Sequence, residues 1–234
     1  MARNKLDQYK GRLTPSQVAD GINAARRNAK RLVDDAESLL KAGSFPTAAS
    51  LAALAIEEAG KVSILRSLAL ARNEAEAIDA WRDYRSHTRK NVTWLIGELA
   101  AKGARMLDDF APLFDPESDH PHLLDQIKQL GFYTDCLEKA HWSDPSRVID
   151  ESLAQSLVFT AKILSTGDNT VTPKEIELWI RHVGPVWKRH PSWMKKALEN
   201  WYEDMQAAGL APSGANQMTE FIRDGLKSSR PKKK

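Results

Sequence analysis

The decapeptide WRDYRSHTRK, residues 81–90, sets Arg82, beside Asp83, five residues ahead of His87. An imidazole exchanges a proton near neutral pH and serves as base or acid. A guanidinium stays charged and offers a planar fork to phosphate or carboxylate oxygens. Proton transfer beside a clamped anion is the chemistry this pair is suited to. On an ideal α-helix five residues rotate a side chain by about 140°, so the two share no face. They meet only if the helix is irregular or begins nearby, or if both line the rim of a groove between two copies of the chain.

The surrounding pattern is helical. Ile78, Trp81, Val92, Leu95 and Leu99 form a stripe expected to face the core, interrupted by Arg85 and Thr88. His87 falls with Tyr84, Asn91 and Trp94 on another face, and the whole is expected to be one helix over roughly 74–102. Ahead of it lies TAASLAALAIEEAGK, small and apolar on every side until Glu57, Glu58 and Lys61 emerge. Such a helix is buried between neighbours, with alanines allowing close backbone approach. Glu57 and Lys61 stand four residues apart in the favoured ion-pair order, which predicts a structural salt bridge. The alternative is a polar layer that holds His87 or Arg82 in place. Asp83 is expected to orient Arg82 or to pair with it on the surface.

Elsewhere the sequence is punctuated by caps and breakers. Thr14, Pro15 and Gln17 open a first helix with a capping box, and Gly43 ends it. Val18, Ile22, Ala25, Ala29, Leu32, Val33 and Ala36 trace its buried stripe. DDFAPLFDPESDHPH reads as a polar loop containing His120 and His122, followed by a short helix LLDQIKQLG. Helices are expected over about 146–165, from the TPKE box at 172 to Gly184, from Pro191 to Ala208, and over 216–228. The Pro/Gly breaks near 167–173 divide the chain into an N-terminal arm (1–14), a helical domain (15–166), a C-terminal helical extension (172–228) and a basic tail (229–234). Tryptophans at 179, 187, 193 and 201 are expected in the core of that extension, and Trp142 is expected to anchor its loop on the main core.

The 234 residues are enough for a real core. A single cysteine, Cys136, excludes an internal disulfide and a Cys-based zinc cage and fits a reducing cytoplasm. No apolar run approaches the roughly eighteen residues of a membrane span, and MARNKLDQYKGR lacks the apolar segment of a secretory signal. A cytoplasmic chain without membrane contact is expected. The net charge is only +3, but six cations against one anion crowd Arg223–Lys234, and four against one crowd Trp81–Asn91. No Gly-rich phosphate loop, nucleophile elbow or zinc-finger spacing is present, so neither a metal nor a cofactor is expected.

The Ala-rich helix ending AIEEAGK, then WRDYRSH and TRK, then IKQLGFYTD…HWSDPSRVI together resemble the AbiV-type abortive-infection branch of the HEPN superfamily, over about residues 15–165. The resemblance implies an all-α HEPN-like bundle that dimerises and acts as a metal-independent endoribonuclease in phage defence. Its signature, an arginine followed by a polar residue and then a histidine, maps to Arg82, Asp83 and His87. RNA carries its own nucleophile, the 2′-hydroxyl, so a base, an acid and positive charge on the phosphorane suffice. Two motifs across a twofold axis would supply all three. Arg85, Arg89 and Lys90 would then contact RNA, with Glu57, Glu58, Lys61, Tyr84 and Asn91 in support. Two other readings share the scaffold: a non-catalytic module that binds RNA or a phage or host protein, and a toxin neutralised by an antitoxin protein.

Overall fold

The computed structural model describes residues 7–225, positions 116 and 168 excepted. The basic tail, the first residues of the N-terminal arm and the expected end of the last helix lie outside the described residues. Among those described, the fold is all-α apart from one two-stranded ribbon.

Helix α1 (Pro15–Lys41) opens as the sequence dictates. The Thr14 hydroxyl accepts from the Gln17 backbone N–H, and the Gln17 side chain accepts from the Thr14 N–H at 2.9 Å. Its predicted stripe, Val18 to Ala36, is buried. Gly43, at φ 76°, turns the chain into α2 (Phe45–Ala69), as only a residue without a Cβ does at low cost. α2 is the central helix, enclosed by α1, α6 and α8, and its alanines 48, 49, 52, 53 and 55 are fully enclosed.

The helix expected over 74–102 is broken. It ends as α3 (Glu74–Arg85), resumes as the single turn α4 (His87–Lys90), and returns as α5 (Ile96–Ala101). Ser86 lies between the first two in an extended conformation (φ −79°, ψ 128°), and its hydroxyl caps α4 through the Arg89 N–H. Serine competes for backbone groups in this way, which favours caps over helix interiors. The break also undoes the expected stripe: Trp81 is buried, but Ile78 is exposed and Asn91 is fully enclosed.

A 3₁₀ turn (Leu107–Phe114) leads to α6 (His120–Phe132), so His120 and His122 stand in a helix's first turn rather than in a loop. Pro121 fits there because first-turn N–H groups have no intrahelical partner. Strands β1 (Cys136–Leu137) and β2 (His141–Trp142) pair antiparallel across Lys139 and Ala140, both at positive φ. This ribbon stands off the bundle, and Trp142, expected to anchor it, is 75% exposed. The helix expected over 146–165 divides into α7 (Pro145–Val148) and α8 (Glu151–Ser165), with Asp150 capping the second.

α9 (Pro173–Val183) starts at its predicted Thr172 cap. Val171 and Ile176 enter the same core cluster as Val18, Ile22, Leu65 and Trp81. The start of the extension therefore packs against α1, α2 and α3. α10 (Pro191–Ala207) and α11 (Gln217–Arg223) complete it. Trp179 meets Trp201 edge-on at 5.4 Å within a small apolar cluster, whereas Trp193 is exposed.

Two glycines set the approach of other elements to α2. A Cβ on Gly60 would lie 2.0 Å from the Lys90 carbonyl oxygen of α4. A Cβ on Gly131 of α6 would lie 2.2 Å from the Ser50 hydroxyl and 2.8 Å from the Pro46 carbonyl.

Candidate active site

Glu57 occupies an inward position of α2, and its residue is only 3% exposed. A carboxylate there demands partners, because burying an unpaired charge costs far more than burying a hydrogen-bonded one. Three side chains supply them. The Lys128 ammonium of α6 donates to Oε1 at 2.6 Å. His87 Nδ1 lies 2.7 Å from Oε2, and the Lys90 ammonium lies 3.3 Å from the same oxygen. Lys128 also reaches Asp125 at 2.7 Å. The result is a polar knot between α2, α4 and α6 with the imidazole at its edge; the His87 side chain is 56% exposed and that of Asp125 32%.

The charges reinforce one another. Burial pushes the Glu57 carboxyl upward, but hydrogen bonds from Lys128 and His87, with the charges of Lys128 and Lys90, outweigh it and hold the group below the ordinary 4.5. Burial lowers the Lys128 ammonium, but Asp125 and Glu57 overcome it, so the group sits above its ordinary 10.5. A depressed carboxyl stabilises the fold above its unfolded value, and that stabilisation is lost as pH falls through the folded value. A raised ammonium stabilises the fold below its unfolded value and ceases to as pH rises through the folded one. Urea titrations should therefore show stability falling below about pH 4.5 and again above about pH 10.5. Glu57→Gln should narrow its deficit against the wild type as pH drops through the acid window.

Glu57, His87 and Asp125 present ligand atoms within 4.8 Å of one another, a spacing that suits a divalent ion. Lys128 already fills that role for the two carboxylates: its ammonium lies 2.6 Å from Glu57 and 2.7 Å from Asp125. The donor set is neutralised by a cation belonging to the chain. Because Nδ1 faces the carboxylate, it carries the proton, and Nε2 presents its lone pair outward. Among the described residues, no hydrogen bond joins Nε2.

The other expected site residues separate. Arg82 pairs with Asp79 at 2.9 Å, and no hydrogen bond or ion pair joins it to His87. Asp83 does not orient Arg82; it lies 3.6 Å from Arg89, across the Ser86 break. The Glu57–Lys61 pair does not form. Lys61 turns one residue aside to Glu58 at 2.5 Å and covers the Tyr84 ring, leaving Glu57 to the inner cluster. Tyr84 packs edge-on against Trp81. Asn91 braces α4 against α6 by donating to the Pro121 carbonyl at 3.2 Å. Of the three cations expected on RNA, Lys90 is turned inward onto Glu57. Arg85 lies over Trp81 and binds the Tyr9 carbonyl. Only Arg89 stays on the surface with no more than a loose partner.

Lys128 and Asp125 were not legible as members of the cluster around Glu57. A signal for Lys128 exists: Leu124, Lys128 and Gly131 are spaced four and three residues apart, so the lysine stands on the buried stripe of its helix.

Three comparisons frame this geometry. A family model described as AbiV, of HEPN type, matches residues 17–166. Neither curated proteins nor solved structures gave a match.

Proposed function

Because the chain belongs to the AbiV family of HEPN type, we propose that it is an abortive-infection endoribonuclease that cleaves RNA at His87 without a metal. One observation carries this reading. An exposed imidazole is held at Nδ1 by a buried carboxylate, with Nε2 turned outward, which is how a general base is oriented elsewhere. His87 Nε2 takes the proton of the 2′-hydroxyl as that oxygen attacks phosphorus. The bond to the 5′-oxygen breaks, leaving a 2′,3′-cyclic phosphate and a 5′-hydroxyl. In a homodimer, His87 of a second copy protonates the departing oxygen, and Arg82 binds the non-bridging oxygens. Asp83, Glu58, Lys61 and Tyr84 support the ends of α2 and α3 rather than the reacting atoms.

The test is cleavage of end-labelled RNA by purified protein in EDTA. Cleavage should persist, with cyclic phosphate ends. His87→Ala should slow it about a hundredfold while shifting stability by about 1 kcal/mol or less. Metal dependence, or growth arrest that survives His87→Ala, overturns the nuclease reading. The second result would favour a non-catalytic module for a phage, host or antitoxin protein. That alternative draws support from the exposed apolar side chains of Tyr133, Leu137 and Trp142.

A further inference from the structure

Pro121, Asp125 and Lys128 follow one another at four and three residues along one face of α6, so Pro121 stands roughly 10 Å from Lys128, which shares Glu57 with His87, toward the start of that helix. Pro121 and the two residues after His87 line a cleft of about 270 Å³. This is near the small end of ligand pockets, about 300–1,000 Å³, and suits one nucleoside. Thr88 and Arg89, the residues directly after His87, form one wall. Val92, Leu113 and Pro121 add apolar lining, and the exposed Phe114 and Asp115 border the cleft.

Two rim residues have unspent chemistry. Phe114 is 66% exposed, which leaves its phenyl face open to stacking. Asp115 uses Oδ1 to accept from the Glu117 N–H at 3.0 Å, and among the described residues no partner takes Oδ2. Arg89, which also lines the cleft, has one side-chain ion pair among the described residues, the 3.6 Å contact with Asp83. An aromatic platform, a cation and a carboxylate lining one cleft make a single-stranded RNA subsite. A carboxylate accepts from the amino group of a base, as with cytosine N4, and repels the O4 acceptor that uracil presents instead.

We propose that this cleft binds the base of a nucleotide flanking the scissile phosphate, stacked on Phe114 and selected by Asp115 for an amino-bearing base over uracil. The assignment rests on the RNA-directed reading above but not on cleavage itself, so its test is a binding measurement. Fluorescent 2′-O-methyl tetranucleotides, which lack the nucleophile, are titrated against the intact protein by anisotropy. The cytidine or adenosine probe should bind at least about tenfold tighter than the uridine probe. Phe114→Ala should weaken the tighter probe by about 5- to 100-fold, and Asp115→Asn should bring the probes together, both with unchanged melting temperatures. Equal binding by Phe114→Ala and wild type, a uridine probe that binds as tightly as the others, or no binding at all overturns the subsite. The two readings fail separately. Selective probe binding without cleavage of unmethylated RNA leaves the subsite and removes the nuclease. Cleavage at wild-type rate and wild-type probe affinity by Phe114→Ala does the reverse.

Discussion

Glu57→Ala should destabilise the protein by about 3–5 kcal/mol and abolish RNA cleavage. The carboxylate is the hub that neutralises Lys128 at 2.6 Å and Lys90 at 3.3 Å, and both lysines are buried. Lys128 keeps Asp125, but Lys90 has no other ion-pair partner among the described residues. Removing one side of a buried cluster leaves an uncompensated charge, which is why the cost exceeds that of any surface pair in the chain. Against a total of roughly 5–15 kcal/mol, the loss should be visible at once in urea denaturation. Activity should vanish separately, because the imidazole loses the acceptor that fixes its tautomer. Glu57→Gln separates the two effects: its amide oxygen still accepts one hydrogen bond, so it should recover part of the stability but little of the rate. Stability within 1 kcal/mol of wild type for Glu57→Ala would show that the cluster is solvated and that the site is not organised as described.

Gly60→Ala should destabilise by about 3 kcal/mol, the upper end of overpacking, and lower cleavage with it. For an ordinary helical glycine the sign would be opposite, since alanine favours a helix by about 1 kcal/mol. Here the added methyl would lie 2.0 Å from the Lys90 carbonyl oxygen. Backbone cannot rotate out of the way as a side chain can, so α4 must move and carry His87 from Glu57. Thermal unfolding and cleavage rate together read this out. A stabilised Gly60→Ala variant would mean that α4 yields freely, and the proposed precision of the imidazole would go with it.

The helical class, the capping box at Thr14, the buried stripe of α1 and the all-round burial of α2 were legible because each rests on local chemistry: a hydroxyl beside an N–H, an apolar period, a run of alanines. The family was legible in motifs, and the glycines in those motifs turn out to have a geometric reason. Gly60 follows Glu57 by three residues, and Gly131 follows Lys128 by three. In each case a charged side chain and a gap for a neighbouring backbone share one helix face. What was not legible depends on tertiary choice. Ser86 fits a helix or a cap equally well in sequence, and only the packing of α4 between α2 and α6 decides for the cap. Lys61 stands within reach of both Glu57 and Glu58. Burial of Glu57 among cations from two other helices awards Lys61 to the outer carboxylate. The Trp142 expectation failed for a similar reason: apolar character said it should be covered, and the short ribbon carries it outward.

The single turn of α4 has a further consequence. Four residues cannot nucleate a helix, since fixing the first turn costs more than its hydrogen bonds return. The turn that bears His87 therefore has no autonomous order, and its shape is borrowed from Gly60, Glu57 and Pro121. Its free energy of opening is set by those few contacts rather than by the bundle as a whole, so it belongs to the least protected tier of the backbone. Amide protons of residues 87–90 should exchange with solvent ahead of those in α1 and α2. Anything that binds against Thr88 and Arg89 from outside tightens the segment without remodelling the scaffold beneath it.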